Sequence, residues 1–358
     1  MTKPMLLADF ARLPPAYRAR RVDGLAAVID RAAALAPASH AFLRYGWFAA
    51  ALTAYGGTAR TVIVEADGEP VIALPMVAMG PGWLGAAQLP GSYWPFRSFP
   101  AVAALPDSAY DALVGALGLR ALRIGPVYDD DGAAAALIGA ARRRGWAVLD
   151  RIVAQSWRLD LTAPDWPRGS TLRKNRFHEK HLAAHGALEW RMLDGAALAG
   201  GGFDLLAQVE QASWIAARTD GRDAKFTRTG HGAFWRAAAA DPGIAAAMHA
   251  ALLCVDGEPA AFSFDLDAGA LRYAVANSYD PAFAKHSPGK LLHYRNLAAA
   301  RAGGTMLVDW GAGDSGYKAV LGAEPGPAIR DWLIVRPGPA ATLAALGRGA
   351  WRRSGRAD

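Results

Sequence analysis

The sequence, 358 residues long, predicts an α/β fold built as two related mixed-sheet halves. Three observations carry this: two hairpins sharing one turn sequence, a helix ahead of each, and a short apolar strand running into glycine after each. The first hairpin, TVIVEADGEPVIALPMV, begins at Thr61 and the second, ALLCVDGEPAAFSFDLD, at Ala251. Asp-Gly between apolar runs signals a tight hairpin, because that turn needs residues tolerant of positive φ. The upstream helices are read in FLRYGWFAAALTAY and GAFWRAAAA, the later strands in ALRIGPV from Ala121 and MLVDWGAG from Met306. The halves meet near residues 155–170, giving expected units of 1–160, 161–338 and a basic tail, 339–358.

In the second half, Phe262, Phe264 and Leu266 alternate with Ser263 and Asp265, and Leu271, Tyr273 and Val275 repeat the period-2 pattern of a strand with one buried face. NSYDPAFAKHSPG reads as a loop by its Asn, Asp, Pro and Gly content. The helix KLLHYRNLAAARA follows and stops at Gly303-Gly304, and TMLVDW is the next strand.

A hydrophobic content of 53% with 20% charged residues describes a globular chain with a sizeable core. Cys254 is the only cysteine, which excludes an internal disulfide and a cysteine-based zinc site, and its apolar strand predicts a buried structural thiol. MTKPMLLADFARLPP breaks with Asp9, Arg12 and two prolines before any long apolar run, so no signal peptide is read. No stretch reaches the ~18 apolar residues that span a bilayer, and a cytoplasmic location is the expectation. The net charge of +7 leaves nucleic acid, an acidic membrane surface or a polyanionic ligand open as partners. Arg142, Arg143 and Arg144 end a helix, where cations complement the dipole. The tail with Arg348, Arg352, Arg353 and Arg356 predicts a solvated, frayed terminus.

KHSPGKLLHY, residues 285–294, has a Gly-Lys pair but lacks the earlier glycine and the Ser/Thr of a nucleotide-triphosphate loop. Pro288 suits a first helical turn and Gly289 permits close approach of a ligand to the backbone, so the segment is an anion site or an ordinary helix start. GAGDSG at 311–316 matches a dinucleotide fingerprint literally, but no crossover helix follows; Asp314, Tyr317 and Lys318 beside it remain of interest. His178, His181 and His185 share a helical face, but Arg173, Lys174, Arg176 and Lys180 around them oppose a metal cation. That basic helix fits a phosphate-bearing ligand or RNA, or a solvated helix between the halves. SYWPFRSFP gathers Tyr93, Trp94, Phe96 and Phe99 around Arg97, either as a substrate wall or as cover for the first core. No Gly-x-Ser-x-Gly elbow and no convincing Ser-His-Asp set are found.

The run YAVANSYDPAFAKHSPGKLLHYRNLAAARAGGTMLVDWGAGDSGYKAVLG resembles the second half of the CelD/BcsL-like proteins of cellulose and exopolysaccharide biosynthesis, within the BioF-like GNAT acyltransferases. The likeness rests on Tyr279-Asp280-Pro281, Ser287-Pro288-Gly289 with Leu291-Leu292, a glycine-ended helix, Asp309, the glycine loop and Tyr317-Lys318. The architecture also resembles the FemAB peptidoglycan aminoacyltransferases, which carry two GNAT units in tandem. The resemblance implies a tandem GNAT fold and places a coenzyme A pyrophosphate at Ser287, Pro288, Gly289, Lys290 and Leu291. It implies that backbone N–H groups of Ala274 to Ser278, Ala276 and Asn277 among them, polarise a thioester carbonyl. Asp309 is then the candidate base, Tyr317 the acid for the leaving thiolate and Lys318 a stabiliser of negative charge. Tyr279 and Asp280, with Tyr93, Trp94 and Arg97, are implied to line the acceptor site. SPGKLL replaces the usual Arg/Gln-x-x-Gly-x-Gly/Ala signature. Three readings therefore stand: an acetyl- or other acyl-CoA-dependent transferase without a metal, acting on an amine or hydroxyl of a small molecule or sugar; a FemAB-like transferase using aminoacyl-tRNA; and a catalytically silent scaffold of a polysaccharide-synthesis machine.

Overall fold

A computed structural model describes residues 16–164, 166–213, 224–313 and 316–355, with the Tyr317 side chain excepted. The first half supplies β1 (Tyr17–Asp23), β2 (Ala59–Ala66), β3 (Glu69–Ala78), β4 (Ala86–Gln88), β5 (Ala121–Tyr128) and β6 (Ala147–Asp160). The second supplies β7 (Leu188–Asp194), β8 (Met248–Val255), β9 (Glu258–Ala268), β10 (Leu271–Tyr279), β11 (Leu307–Ala312) and β12 (Glu324–Val335). All join one 12-stranded sheet in the order β1-β2-β3-β4-β5-β12-β6-β11-β10-β9-β8-β7.

Read inward from either edge, that order gives the first five strands of one half and then the sixth strand of the other. The sixth strands are exchanged: β12 lies against β5, and β6 lies against β11. β6 and β12 also pair antiparallel with each other, from Ala147↔Val335 to Arg158↔Glu324. Both expected hairpins form, and Asp67 and Gly68 (φ 50° and 86°) and Asp256 and Gly257 (φ 52° and 85°) make the two turns alike. Positive φ at both central residues is the turn whose twist matches the flanking strands, so local chemistry sets each register.

The helices ahead of the hairpins, Tyr45–Tyr55 and His231–Ala238, pack on each other across the seam. Trp47, fully buried, stands with its ring centroid 4.8 Å from Phe234 and 5.8 Å from Trp235. Trp235 continues to Phe264 on β9 at 4.9 Å, so one aromatic core runs through both halves. Such tilted and edge-to-face contacts add to the large areas these rings bury. Cys254 is free and buried on β8.

The basic tail differs from expectation. Helices Pro339–Leu346 and Arg348–Arg353 dock on β6. The Arg151 guanidinium lies 4.1 Å from the Trp351 ring centroid, and Arg352 pairs with Asp150 at 2.9 Å. A stacking partner and a nearby carboxylate outweigh the fraying expected from composition alone. Arg356 lies outside the described residues. No described helix is long and apolar enough to cross a membrane.

The exchanged strands predict a single urea transition at which tryptophan fluorescence and far-UV circular dichroism coincide. Two separated transitions would show that the halves are independent units.

Candidate active site

Strand splaying creates the site. β10 and β11 run parallel but pair only at Leu271↔Leu307, Arg272↔Val308 and Tyr273↔Asp309. Beyond that register they part, and β10 carries a bulge against β9 between Ala274 and Ala276. Asp309 thus sits where the gap opens. Its side chain is fully buried, and Oδ2 accepts from Arg158 Nε at 2.9 Å. Oδ1 accepts from the Tyr128 hydroxyl at 3.1 Å and from the Gly311 backbone N–H at 2.7 Å. Burial raises the Asp309 pKa above the aspartate range, against the pull of Arg158 and the Gly311 N–H. Burial also pushes the Tyr128 pKa well above its usual value, so its hydroxyl keeps its proton.

The first half repeats the geometry with the charges reversed. β4 and β5 are parallel over Ala86↔Ala121, Ala87↔Leu122 and Gln88↔Arg123, which puts Arg123 at the register where the second half has Asp309. Arg123 and Arg151 both grip the buried Asp331, each with a 2.6 Å contact. Two guanidinium groups thus occupy the carboxylate at that end.

A pocket of about 160 Å³ lies between the halves and reaches Tyr128 and Arg158, the two side chains that bond Asp309. Phe42, Phe96, Tyr128 and Tyr273 wall it, and Asp130 and Arg158, paired at 2.9 Å, stand in its lining. Ser39, His40, Ser98 and Asp131 complete a polar corner. His40 Nδ1 lies 3.0 Å from Ser39 Oγ, and Nε2 lies 3.1 Å from Asp131 Oδ2 and 3.3 Å from Ser98 Oγ. Asp131 also caps the helix Gly132–Arg143, accepting from Ala134 N at 2.9 Å, which fixes its direction. A Ser-His-Asp line therefore exists, although none was found in the sequence. Ser39-His40 and Asp131 are far apart in the chain, and only the DDD run at 129–131 after an apolar strand hinted at it.

The expected donor residues fall together at the open end of β10. Ala276 and Asn277 follow the bulge. Ser287 takes φ 53°, Pro288 opens the helix Pro288–Ala302, and Leu291 N donates to Ser287 O at 3.1 Å. The first-turn N–H groups of Gly289 and Lys290 have no acceptor within the helix. A Cβ at Gly289 would stand 3.2 Å from the Tyr279 ring, a tight contact that glycine avoids. Asp280 accepts from Ala282 N at 2.8 Å and caps the turn Pro281–His286. Tyr279 and Asp280 therefore sit beside the Pro288 helix start.

Tyr93, Trp94 and Arg97 lie elsewhere. The Tyr93 ring packs 4.4 Å from His231, Trp94 abuts Gly311, and Arg97 donates to Ser92 O at 3.4 Å within its own loop. That loop reaches the pocket through Pro95, Phe96 and Ser98. Lys318 is buried, and its Nζ donates to the carbonyls of Trp310 (3.0 Å), Ala312 (2.9 Å) and Gly313 (2.5 Å), tying down the strand end behind Asp309. The Tyr317 side chain and Asp314 lie outside the described residues.

The basic helix Gly169–Leu182 lies beside the turn Pro281–His286 and the helix Pro288–Ala302, with Glu179 and Arg295 paired at 2.5 Å. His185 meets His286, at 2.9 Å between Nε2 atoms, rather than His178 or His181. Among the described residues no three His, Cys, Asp or Glu side chains form a group able to hold a metal.

Gly311 (φ 58°) against Trp94 gives a direct stability test: Gly311→Ala should cost about 1–3 kcal/mol in urea titrations, through strained backbone and a displaced indole. An unchanged midpoint would contradict this packing.

Residues 169–319 match the model of the acetyltransferase (GNAT) domain. Among solved structures, FemX superposes with a TM-score of 0.56 at 13% identity, over 90% of this chain and 99% of that one. The C-terminal domain of a putative lysylphosphatidylglycerol synthetase from Agrobacterium fabrum gives 0.55 at 15% identity, over 92% and 98%. A conserved protein of unknown function from Bacteroides thetaiotaomicron gives 0.54 at 13%, over 88% and 99%. No curated protein matches. At these identities the structural likeness establishes the fold alone, a tandem GNAT-type architecture, and the domain match makes residues 169–319 similar to the acetyltransferase (GNAT) domain.

Proposed function

We propose that the protein moves an acyl group from acetyl-CoA or another acyl-CoA to an amine or hydroxyl of a small molecule or sugar, in cellulose or exopolysaccharide biosynthesis. Residues 161–338 take the donor and 1–160 shape the acceptor side, with 339–358 as a basic tail. The observation that carries this reading is the helix start at Pro288 beside the splayed end of β10, with free N–H groups and a glycine pressed to Tyr279. Unpaired N–H groups and the helix dipole suit a pyrophosphate there, assisted by the charge of Lys290.

Backbone N–H groups at Ala276 and Asn277, beyond the bulge, would polarise the thioester carbonyl. Asp309 is the proposed proton acceptor. Its oxygens already hold three donors, so it reaches the acceptor through the Tyr128 hydroxyl, which would pass on a proton. Tyr317 is the proposed acid for the departing thiolate. Lys318 holds the loop that carries Gly311, so its part is to keep Asp309 in place.

One observation favours aminoacyl-tRNA as donor: Arg173, Lys174, Arg176 and Lys180 are exposed beside the donor loop. Charged tRNA binding whose logarithm falls steeply with salt would support that donor.

Two measurements test the main reading. In calorimetry with acetyl-CoA, Gly289→Val should weaken binding at least about tenfold (~1.4 kcal/mol), and Lys290→Ala only a few-fold. Equal affinity of wild type and the valine variant would leave the loop a plain helix start. Asp309 accepts a proton only when ionised, so its raised pKa places the acid limb of kcat/KM above the ordinary aspartate range. Asp309→Asn should lower kcat by about 10²–10⁴-fold and remove that limb, whereas an unchanged profile would exclude it as the proton acceptor.

A further inference from the structure

At one end of the sheet, large apolar side chains stand in solvent among arginines. The helix Pro339–Leu346 turns its small residues inward: Ala341 and Ala344 are half-buried, while Leu343 and Leu346 are 69% and 80% exposed. A helix held only by packing on its own sheet would present its leucines to that sheet, so here the larger apolar face points outward. Trp83, 75% exposed, and Leu84, 40% exposed, tip the turn Gly82–Leu84 ahead of β4.

Backbone hydrogen bonds make these elements neighbours. Arg120 N donates to Gly85 O at 2.8 Å, just after the Trp83 turn, and Arg336 N donates to Arg120 O at 2.8 Å. Pro337 then packs against Gly145, which follows the Arg142–Arg144 run, and leads into the helix Pro339–Leu346. The starts of β4, β5 and β6 and the end of β12 all lie here.

The charge of this end is positive. Arg120, Arg144, Arg336, Arg348 and Arg353 are exposed, and no acidic residue occurs from Ala112 to Tyr128 or from Trp332 to Ala357. Asp107 and Asp111 nearby are taken up by Arg143, and Asp150 by Arg352. Among the described residues, Arg336, Arg348 and Arg353 are left without a carboxylate partner.

We propose that this end of the sheet docks on an anionic lipid bilayer, with Leu343, Leu346 and Trp83 entering the headgroup boundary and the arginines meeting lipid phosphates. Outward apolar side chains set among uncompensated cations are the pattern of an interfacial helix, because burial and charge each add to binding. Tryptophan suits that boundary because its ring is apolar with one polar edge. A second copy of the chain, facing the same patch, would set like charge against like.

The surface stands apart from the pocket. β5 begins at this end with Ala121 and reaches Tyr128 in the pocket wall at its other end, roughly 23 Å away. A docked molecule therefore keeps its pocket off the bilayer, and the surface locates the protein without holding an acceptor. The inference stands whether or not the transferase reading does.

Co-sedimentation of the full chain with vesicles reads the docking, using phosphatidylcholine alone or equal parts phosphatidylcholine and phosphatidylserine. The protein should pellet with the mixed vesicles, remain in the supernatant with the neutral ones, and bind less as salt is added. Leu343→Ser with Leu346→Ser, and separately Arg348→Gln with Arg353→Gln, should each weaken the association at least about tenfold. All four side chains are exposed, so neither variant disturbs packing. No pelleting with the mixed vesicles, equal pelleting with the neutral ones, or undiminished pelleting of either variant would overturn the proposal. So would a wild-type dimer in sedimentation equilibrium that the leucine variant loses, because a second copy would then cover this face.

Discussion

The exchange of the sixth strands is the constraint on which the rest of the structure depends. Because β6 crosses to β11 and β12 crosses to β5, neither half completes its sheet from its own sequence. The buried carboxylate of Asp309 inherits this dependence. Asp309 belongs to the second half, yet Arg158 on β6 and Tyr128 on β5, both of the first half, hold two of its hydrogen bonds. A buried carboxylate without such donors would lose its charge. The strand exchange therefore ties the sheet together and also sets the surroundings of Asp309.

Duplication followed by divergence explains how one chain presents two similar gaps with different chemistry. At equivalent registers the first half has Arg123, locked with Arg151 on Asp331, and the second has Asp309. The first gap is filled by fixed charge, and the second opens on a bulged strand and the Pro288 helix start. The pocket forms between them, lined by both halves, so it has no counterpart within a single half.

The sequence showed the parts of this molecule that depend on local chemistry. The two Asp-Gly turns, the period-2 strands and the helix opened by Pro288 and closed at Gly303 all depend on neighbours a few residues away. Contacts between distant segments were not visible. The order of β5, β12, β6 and β11 depends on long-range pairing, and no pattern along the chain encodes it. The same holds for Ser39-His40 and Asp131, and for Arg158 with Asp309, which become neighbours only after the sheet closes. Composition misled at the tail, where Arg352 pairs with Asp150 and Trp351 takes the Arg151 guanidinium of β6 on its ring. In the aromatic loop, Phe96 and Ser98 face the pocket, while Tyr93 and Trp94, picked for their ring chemistry, pack at the seam.

The central claim is that an acyl-CoA donor is held at the open end of β10 and not at the matching gap of the first half. Amide hydrogen exchange with and without saturating acetyl-CoA measures this most directly. Added protection should concentrate in residues 274–278 and 287–291, where the strand amides and the helix start would meet the thioester and the pyrophosphate. Protection confined to the β4–β5 gap, or absent from both, would contradict the account.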